Sequence, residues 1–148
     1  MRLLTILAAL LTACGPAPPR ATHVKPDLAK EAWYSETASQ LTAMSKEAQN
    51  LLHDKPDRAA AIVTQGQPLI QRLLSVPRPT LAAMEAVSDM DQLYGQMLLG
   101  NRHYVWARVL FQKNLTRWTL WIPRTPDTLR RLESARRAIA ECERHIGE

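Results

Sequence analysis

The segment from residue 102 to residue 124 carries the side chains best suited to binding a ligand, because it holds three of the four tryptophans and the only phenylalanine. An α-helix turns by about 100° per residue, so one line along it would combine flat apolar rings with an imidazole, an amide and a guanidinium. A guanidinium can bind a carboxylate or a phosphate through two parallel hydrogen bonds. The spacing therefore predicts a binding groove, whose candidate residues, in line with Leu110, are His103, Trp106, Asn114, Arg117 and Trp121.

A second line on the same helix is apolar and predicts a face that packs into the core: Tyr104, Ala107, Phe111, Leu115, Trp118 and Ile122. Because a buried polar group without a partner costs about 1–3 kcal/mol, His103, Asn114 and Arg117 need partners, solvent or a ligand. Two alternatives to a groove stay open. The polar groups would meet Asp or Glu from neighbouring helices inside a broad core, or the Trp and Arg side chains would lie at a bilayer interface, which suits both types.

The other reactive side chains form no pattern of a known active site. Cys142 and His145 are three residues apart, a spacing that would place two metal ligands on one side of a helix, but no second pair accompanies them. Asp89 and Asp91 cannot face the same side of a helix, so they are a poor acid–base pair. The sequence also lacks a Gly-rich phosphate loop and a haem-attachment motif. We therefore expect no metal, no cofactor and no enzymatic activity.

The first residues have the parts of a secretory signal: the basic Arg2, a mostly apolar stretch over residues 3–11, and small residues before Cys14. The apolar stretch is roughly half as long as a membrane-spanning helix. The run Leu11-Thr12-Ala13-Cys14 resembles the lipobox of bacterial lipoprotein precursors. That resemblance implies cleavage before Cys14 and attachment of a diacylglycerol and an N-acyl chain to Cys14, and these chains would hold the protein on a bilayer.

The resemblance also implies a location and a division into three segments. Gly15 follows the cysteine, which in enterobacterial lipoproteins implies the outer membrane facing the periplasm, and in a Gram-positive host the outer face of the cytoplasmic membrane. Residues 1–13 are then a signal peptide, and residues 14–26 are the lipidated Cys14 with a tether whose four prolines favour an extended chain. Residues 27–148 form one helical bundle domain.

The composition limits the partners. A formal net charge of +5 is compatible with anionic lipid, an anionic glycan or an acidic envelope protein. Nucleic acid is not expected as a partner of a chain that is exported across a membrane. Cys142 is the only other cysteine, so with lipid on Cys14 the domain has no internal disulfide and must be held together by packing.

From residue 27 onward the apolar residues recur with helical spacing, and no stretch alternates with the period of a strand. We predict helices over about 27–53, 55–76, 81–121 and 126–146, with N-caps at Asp54 and Thr125, a third helical segment that opens at Thr80, and a kink or break at Gly66–Pro68. Short connections between amphipathic helices predict an all-α, up-down bundle. It has four helices, or five if Gly100-Asn101 interrupts the third.

These observations support three functional hypotheses. The leading one is a non-enzymatic cell-envelope lipoprotein whose bundle binds a protein or glycan partner at the membrane surface through the candidate residues on the third helix. The second is a small-ligand carrier or enzyme with a pocket between those residues and the Gly66–Pro68 bend. The third is a structural protein that self-associates through the charged face of its last helix, where Glu133 and Arg137 are spaced to pair.

Overall fold

The computed structural model describes residues 27–147, so the predicted signal peptide, Cys14 and the tether lie outside the described residues. Every regular element within 27–147 is helical, which confirms the predicted all-α bundle. A 3-10 turn covers Leu28–Lys30. The five α-helices that follow it are α1 (Ala32–Leu51), α2 (Pro56–Leu74), α3 (Leu81–Gly100), α4 (Tyr104–Leu120) and α5 (Pro126–Ile146).

The predicted long third helix is divided into α3 and α4, because the chain turns at residues 101–103. Arg102 has a φ of 62°, in the left-handed region, and its N–H donates to the Leu99 carbonyl at 3.0 Å. The His103 N–H donates to the Leu98 carbonyl at 2.8 Å. These two hydrogen bonds are typical of a helix end that places glycine in the left-handed position. The described part of the chain therefore has five helices.

The predicted N-cap at Thr125 is confirmed, and Thr80, the predicted start of the third helical segment, is also an N-cap. At the start of α3, Thr80 Oγ1 accepts a hydrogen bond from the Ala83 N–H at 3.3 Å. At the start of α5, Thr125 Oγ1 accepts from the Thr128 N–H, while Thr128 Oγ1 accepts from the Thr125 N–H. Each arrangement satisfies amide groups that have no partner within the helix, so the sequence fixes where both helices begin.

One expectation for α2 is wrong, and of the kink or break predicted at Gly66–Pro68 the break is excluded. Asp54 is not its N-cap, because Pro56 occupies the first helical position and the capping position is therefore Lys55. The predicted break at Gly66–Pro68 is absent as well, since α2 runs continuously through both residues. Buried side chains before and after this point pack into the same core: Ile62, Val63, Ile70 and Leu73.

Successive helices run in opposite directions, and α3 contacts α1, α2 and α4. α1 packs on α2 and α3, and α4 packs on α3 and α5. The Tyr34 hydroxyl donates to the Leu73 carbonyl, joining the start of α1 to the end of α2, and the Tyr104 and His145 rings stack 4.6 Å apart, joining the start of α4 to the end of α5. We call the end at residue 27 the proximal end; it also holds the starts of α3 and α5 and the ends of α2 and α4. The opposite end is the distal end.

The two sides of α3 close different cores. The side facing α1 and α2 is apolar, and its most deeply buried members are Tyr34, Leu41, Leu73, Val87, Met90 and Leu93. The side facing α4 and α5 has two smaller apolar clusters, one around Phe111 and one around Trp118. Ser88 and Asp91 are buried on the α4 side of α3 as well, so this second side mixes apolar packing with polar contacts.

Candidate functional site

The five predicted site residues do not share one surface. Asn114 is buried and Arg117 is nearly so, and both contact α3. His103 is exposed at the N-cap of α4, and Trp106 is 67% exposed one turn later. Trp121 is half-buried at the other end of the helix. Fifteen residues of helix separate the two tryptophans by about 22 Å, so they do not form the two walls of one small-molecule pocket.

Asn114 and Arg117 belong to a buried polar cluster, which also contains Ser88, Asp91 and Trp118. Asn114 Nδ2 donates to the Ser88 carbonyl at 3.0 Å, and Arg117 Nη1 donates to Asn114 Oδ1. Arg117 Nη2 donates to Asp91 Oδ2 at 2.9 Å. Trp118 Nε1 donates to Ser88 Oγ at 2.8 Å. Three of these four hydrogen bonds cross from α4 to α3, so the polar cluster fixes how α4 sits on α3.

The ion pair in this cluster is almost fully removed from solvent, since the Arg117 and Asp91 side chains are 10% and 7% exposed. Burial raises the pKa of Asp91, and the Arg117 guanidinium opposes that rise without cancelling it. A buried ion pair generally loses about as much solvation as it gains in attraction, so its main effect is to select one arrangement of the helices. Within residues 27–147 no buried side-chain nitrogen or oxygen lacks a hydrogen-bond partner. The polar cluster therefore needs no ligand to satisfy it.

A second group of charges joins α3 to α5. The Arg131 guanidinium donates to both Asp89 and Asp127 and lies 5.5 Å from the centre of the Trp118 ring. Hydrogen bonds from Arg131 and Arg130 lower the pKa of Asp127. These charges border a cleft of about 400 Å³ over α3 and α5. Asp89 therefore contacts α5 while Asp91 contacts α4, which confirms that the two carboxylates face different sides of α3.

The exposed face of α4 carries the largest apolar side chain that the described residues leave in solvent, Trp106. Val105 is 52% exposed and Val109 is 43% exposed beside it. We call these three residues the Trp106 surface. Val109 also lines a shallow groove of about 680 Å³ along α4, together with Leu74, Met84, Arg108, Gln112, Lys113, Thr116, Arg117 and Glu143.

Basic side chains border the Trp106 surface. Arg108 lies 4.0 Å from Glu143 on α5, and both side chains are about half exposed. Lys113 is exposed and forms no ion pair with any residue between 27 and 147. An apolar centre with a polar, charged border is the usual composition of a protein interface. The arrangement is suited to an apolar segment that carries acidic residues at its edge.

The other chemical candidates are accounted for by packing. Cys142 is buried between α4 and α5, and burial raises the pKa of its thiol, so it behaves as a small apolar side chain. No three His, Cys, Asp or Glu side chains within residues 27–147 are placed to hold a metal ion. At Gly66 there is no space for a ligand, because an added Cβ would lie 3.0 Å from Met90 Cε and 3.2 Å from Leu41 Cδ1.

Sequence reasoning did not identify Ser88 and Asp91 as the partners of the α4 side chains, although one signal was present. Asp91 lies in helical line with Met84 and Val87, both of which are apolar and buried. An acidic residue on an apolar line must be paired when it is buried. Such a position on α3 therefore predicts a basic partner on the helix that packs against it.

None of the helices between residues 27 and 147 is both long enough and apolar enough to cross a membrane. Comparison with known proteins finds no matching family model, no similar curated protein and no similar solved structure.

Proposed function

We propose that this chain is a lipid-anchored protein of the bacterial cell envelope whose helical bundle binds a protein partner through the Trp106 surface. The observation that carries the proposal is the exposure of Val105, Trp106 and Val109 on a helix whose opposite face is packed against α3 and α5. Tryptophan is enriched among the residues that contribute most to protein interfaces, and a contiguous exposed apolar patch usually marks an interaction site.

The border of the Trp106 surface defines the chemistry of the partner. Arg108 and Lys113 are exposed and basic, so the partner carries acidic residues beside its apolar ones. The groove follows α4 over residues 108–117, a length that accommodates about two turns of an amphipathic helix. Val105 and Val109 offer no hydrogen bond to a glycan, which favours a protein as the partner.

The lipid anchor in this proposal depends on the Leu11-Thr12-Ala13-Cys14 run. Intact mass of the protein extracted from its native membrane tests it directly. The expected species begins at Cys14 and carries the mass of a diacylglycerol and an acyl chain. A species that retains Met1 and a bare Cys14 thiol would contradict the anchoring part of the proposal.

The binding part is tested with a photoreactive amino acid at Val105, compared with the same amino acid at Ala60 on the exposed face of α2. Irradiated native membranes are expected to give a discrete crosslinked protein from position 105 and none from position 60. Trp106→Ala should then weaken binding of the identified partner roughly 30-fold, the loss expected for a major interface tryptophan.

Arg136→Ala is the matched control, because Arg136 is exposed on α5 and does not line the α4 groove. It should bind like the wild type. Equal binding by wild type and Trp106→Ala would contradict the assignment of this surface, and an adduct that contains sugar in place of peptide would identify a glycan partner instead.

A further inference from the structure

The proximal end of the bundle exposes several large apolar side chains. The last residue of α4 and the connection that follows it carry the two most exposed large apolar side chains among the described residues, Leu120 at 74% and Ile122 at 82%. Four further exposed apolar residues lie within about one turn of a helix end on the same side of the molecule: Leu28, Leu74, Leu81 and Leu129. Together these six residues form what we call the proximal rim.

The two connections at the proximal end carry only basic charge. The two connections at this end, residues 75–80 and 121–125, each contain one arginine, Arg78 or Arg124, and no acidic residue. Neither arginine forms an ion pair with a residue between 27 and 147. Asp127 at this end is already paired with Arg130 and Arg131. The unpaired charge at the proximal rim is therefore available to an anionic surface.

Three of the four tryptophans lie at the same end. Trp33 is in the first turn of α1, with the Arg72 guanidinium 4.4 Å from its ring centre. Trp118 and Trp121 are at the end of α4, with ring centres 6.4 Å apart. Trp121 is half-buried, so part of its ring remains accessible. Tryptophan and arginine both favour the headgroup layer of a membrane, where a ring or an aliphatic stem meets lipid while the polar group stays hydrated.

The position where the N-terminal segment joins the bundle brings this end near the anchor. Residue 27 lies at the proximal end, and the 13 residues from Cys14 to Pro26 span at most about 45 Å. An anchored chain therefore keeps the proximal rim within reach of the bilayer at all times. The distal end, about 30 Å further along α3, is the part that the same anchor holds less closely.

We infer that the proximal rim is a docking surface for an anionic bilayer, so that the bundle stands on the membrane with the Trp106 surface directed away from it. The inference rests on the proposed lipid attachment at Cys14. Ile122 and Leu120 enter the headgroup region, and Arg78 and Arg124 contact lipid phosphates. The Trp106 surface then lies roughly 20 Å or more from the lipid, where it can meet a partner in the aqueous compartment.

The experiment uses the full chain, extracted from membranes and reconstituted in vesicles containing brominated lipid, which quenches nearby tryptophans. Intact mass is recorded first. If Cys14 is bare, its thiol is coupled to a maleimide lipid, so that orientation is measured whether or not native acylation occurs; buried Cys142 is shielded from this reaction. Trp106→Phe and Trp121→Phe each remove one reporter, from the distal and the proximal half.

We expect the quenched fraction of fluorescence to be about twofold larger in Trp106→Phe than in Trp121→Phe, because the partly exposed Trp33 and Trp121 rings meet lipid, whereas Trp106 is distant from it and Trp118 is buried. Quenching should fall when anionic lipid is omitted and in the double variant Arg78→Gln with Arg124→Gln. The distal double variant Lys55→Gln with Arg102→Gln serves as the control and should match the wild type.

Three results would overturn the inference. Equal quenching of the two single variants would mean that the bundle lies flat or tumbles freely. An absence of quenching on an anchored chain would mean that the proximal rim is held off the bilayer and binds something other than lipid. Quenching that is indifferent to anionic lipid and to both arginines would exclude an electrostatic docking surface.

Discussion

The two sides of α3 pack against their neighbouring helices through different kinds of side chain. Toward α1 and α2 the helix presents Ala83, Val87, Met90 and Leu93, all apolar and buried. Toward α4 it presents Met84, Ser88, Asp91 and Gly95. Of these, Ser88 and Asp91 accept hydrogen bonds from side chains of α4. We call these the apolar side and the polar side.

In this bundle the apolar contacts account for most of the burial, and the polar contacts select one arrangement of the helices. Apolar packing tolerates many arrangements of similar volume, whereas a buried guanidinium and a carboxylate tolerate few. The polar side therefore determines the rotation and register of α4 on α3. Since Trp106 lies on α4, the polar cluster also determines where the Trp106 surface points.

Removing one member of the buried ion pair should have the largest effect. Arg117→Ala leaves the buried Asp91 carboxyl without its partner and Asn114 Oδ1 without its donor, so it should lower the free energy of unfolding by about 3–5 kcal/mol. The double variant Asp91→Leu with Arg117→Met removes both charges and retains only the unpaired Asn114 oxygen, so it should lose about 1–3 kcal/mol. Urea unfolding of both proteins measures the difference. Equal losses of stability would show that the Arg117–Asp91 ion pair is solvated, and that the polar side behaves like a solvent-exposed protein surface.

Two helical glycines compare the sides directly. At Gly95, on the polar side, an added Cβ would lie 2.5 Å from Cε1 and 2.7 Å from Cζ of the Phe111 ring; Gly95→Ala should therefore cost about 1–3 kcal/mol through overpacking. At Gly66, on the apolar side, the nearest atoms are the movable ends of Met90 and Leu41.

Gly66→Ala should be close to neutral, because alanine's higher helix propensity, worth about 1 kcal/mol, offsets a small adjustment of those two side chains. Thermal unfolding of both variants makes the comparison. A larger loss at Gly66 than at Gly95 would reverse the assignment of which side is more tightly constrained.

The smallest effect distinguishes two carboxylates by pH, Asp91 on the polar side and Asp127 on α5. The pKa of Asp127 is lowered, so its contribution to stability is present above the pKa of the unfolded chain and is lost as the pH falls through the folded-state pKa. The pKa of Asp91 is raised, so its ionised form disfavours folding, and stability falls as the pH rises from the unfolded-state to the folded-state pKa.

Relative to the wild type, Asp127→Asn should therefore lose more stability at neutral pH than in acid, by less than about 1 kcal/mol because Asp127 is partly exposed. Asp91→Asn should change in the opposite direction, becoming relatively less harmful as the pH rises. Urea midpoints between about pH 3 and 7, a range that brackets ordinary carboxyl titration, provide the measurement. Parallel curves for the two variants would contradict the distinction between a buried and an exposed pair.

Helical spacing predicted the architecture because most apolar positions follow one face per helix, as Leu132, Ala135, Ile139 and Cys142 do on α5. The cap of α5 was predicted because the Thr125 hydroxyl lies next to the first turn. The break at residues 101–103 stayed undecided because the residue that takes the left-handed conformation is Arg102, whereas glycine is the usual signal at such a position.

The candidate site was predicted less well, because its exposure depends on how α3 and α4 pack together. Spacing places Asn114, Arg117 and Trp106 near one line of α4, but it does not reveal which part of that line α3 covers. The crossing of α3 and α4 buries Asn114 and Arg117 and leaves Trp106 outside. The alternative of acidic partners from a neighbouring helix describes what Arg117 meets, and only the fold identifies Asp91 as that partner.

An odd number of alternating helices separates the two ends of the described chain, so residue 27 lies at one pole of the molecule and Gly147 at the other. A purification handle or fluorescent protein fused at the C-terminus would emerge beside Trp106 and crowd it.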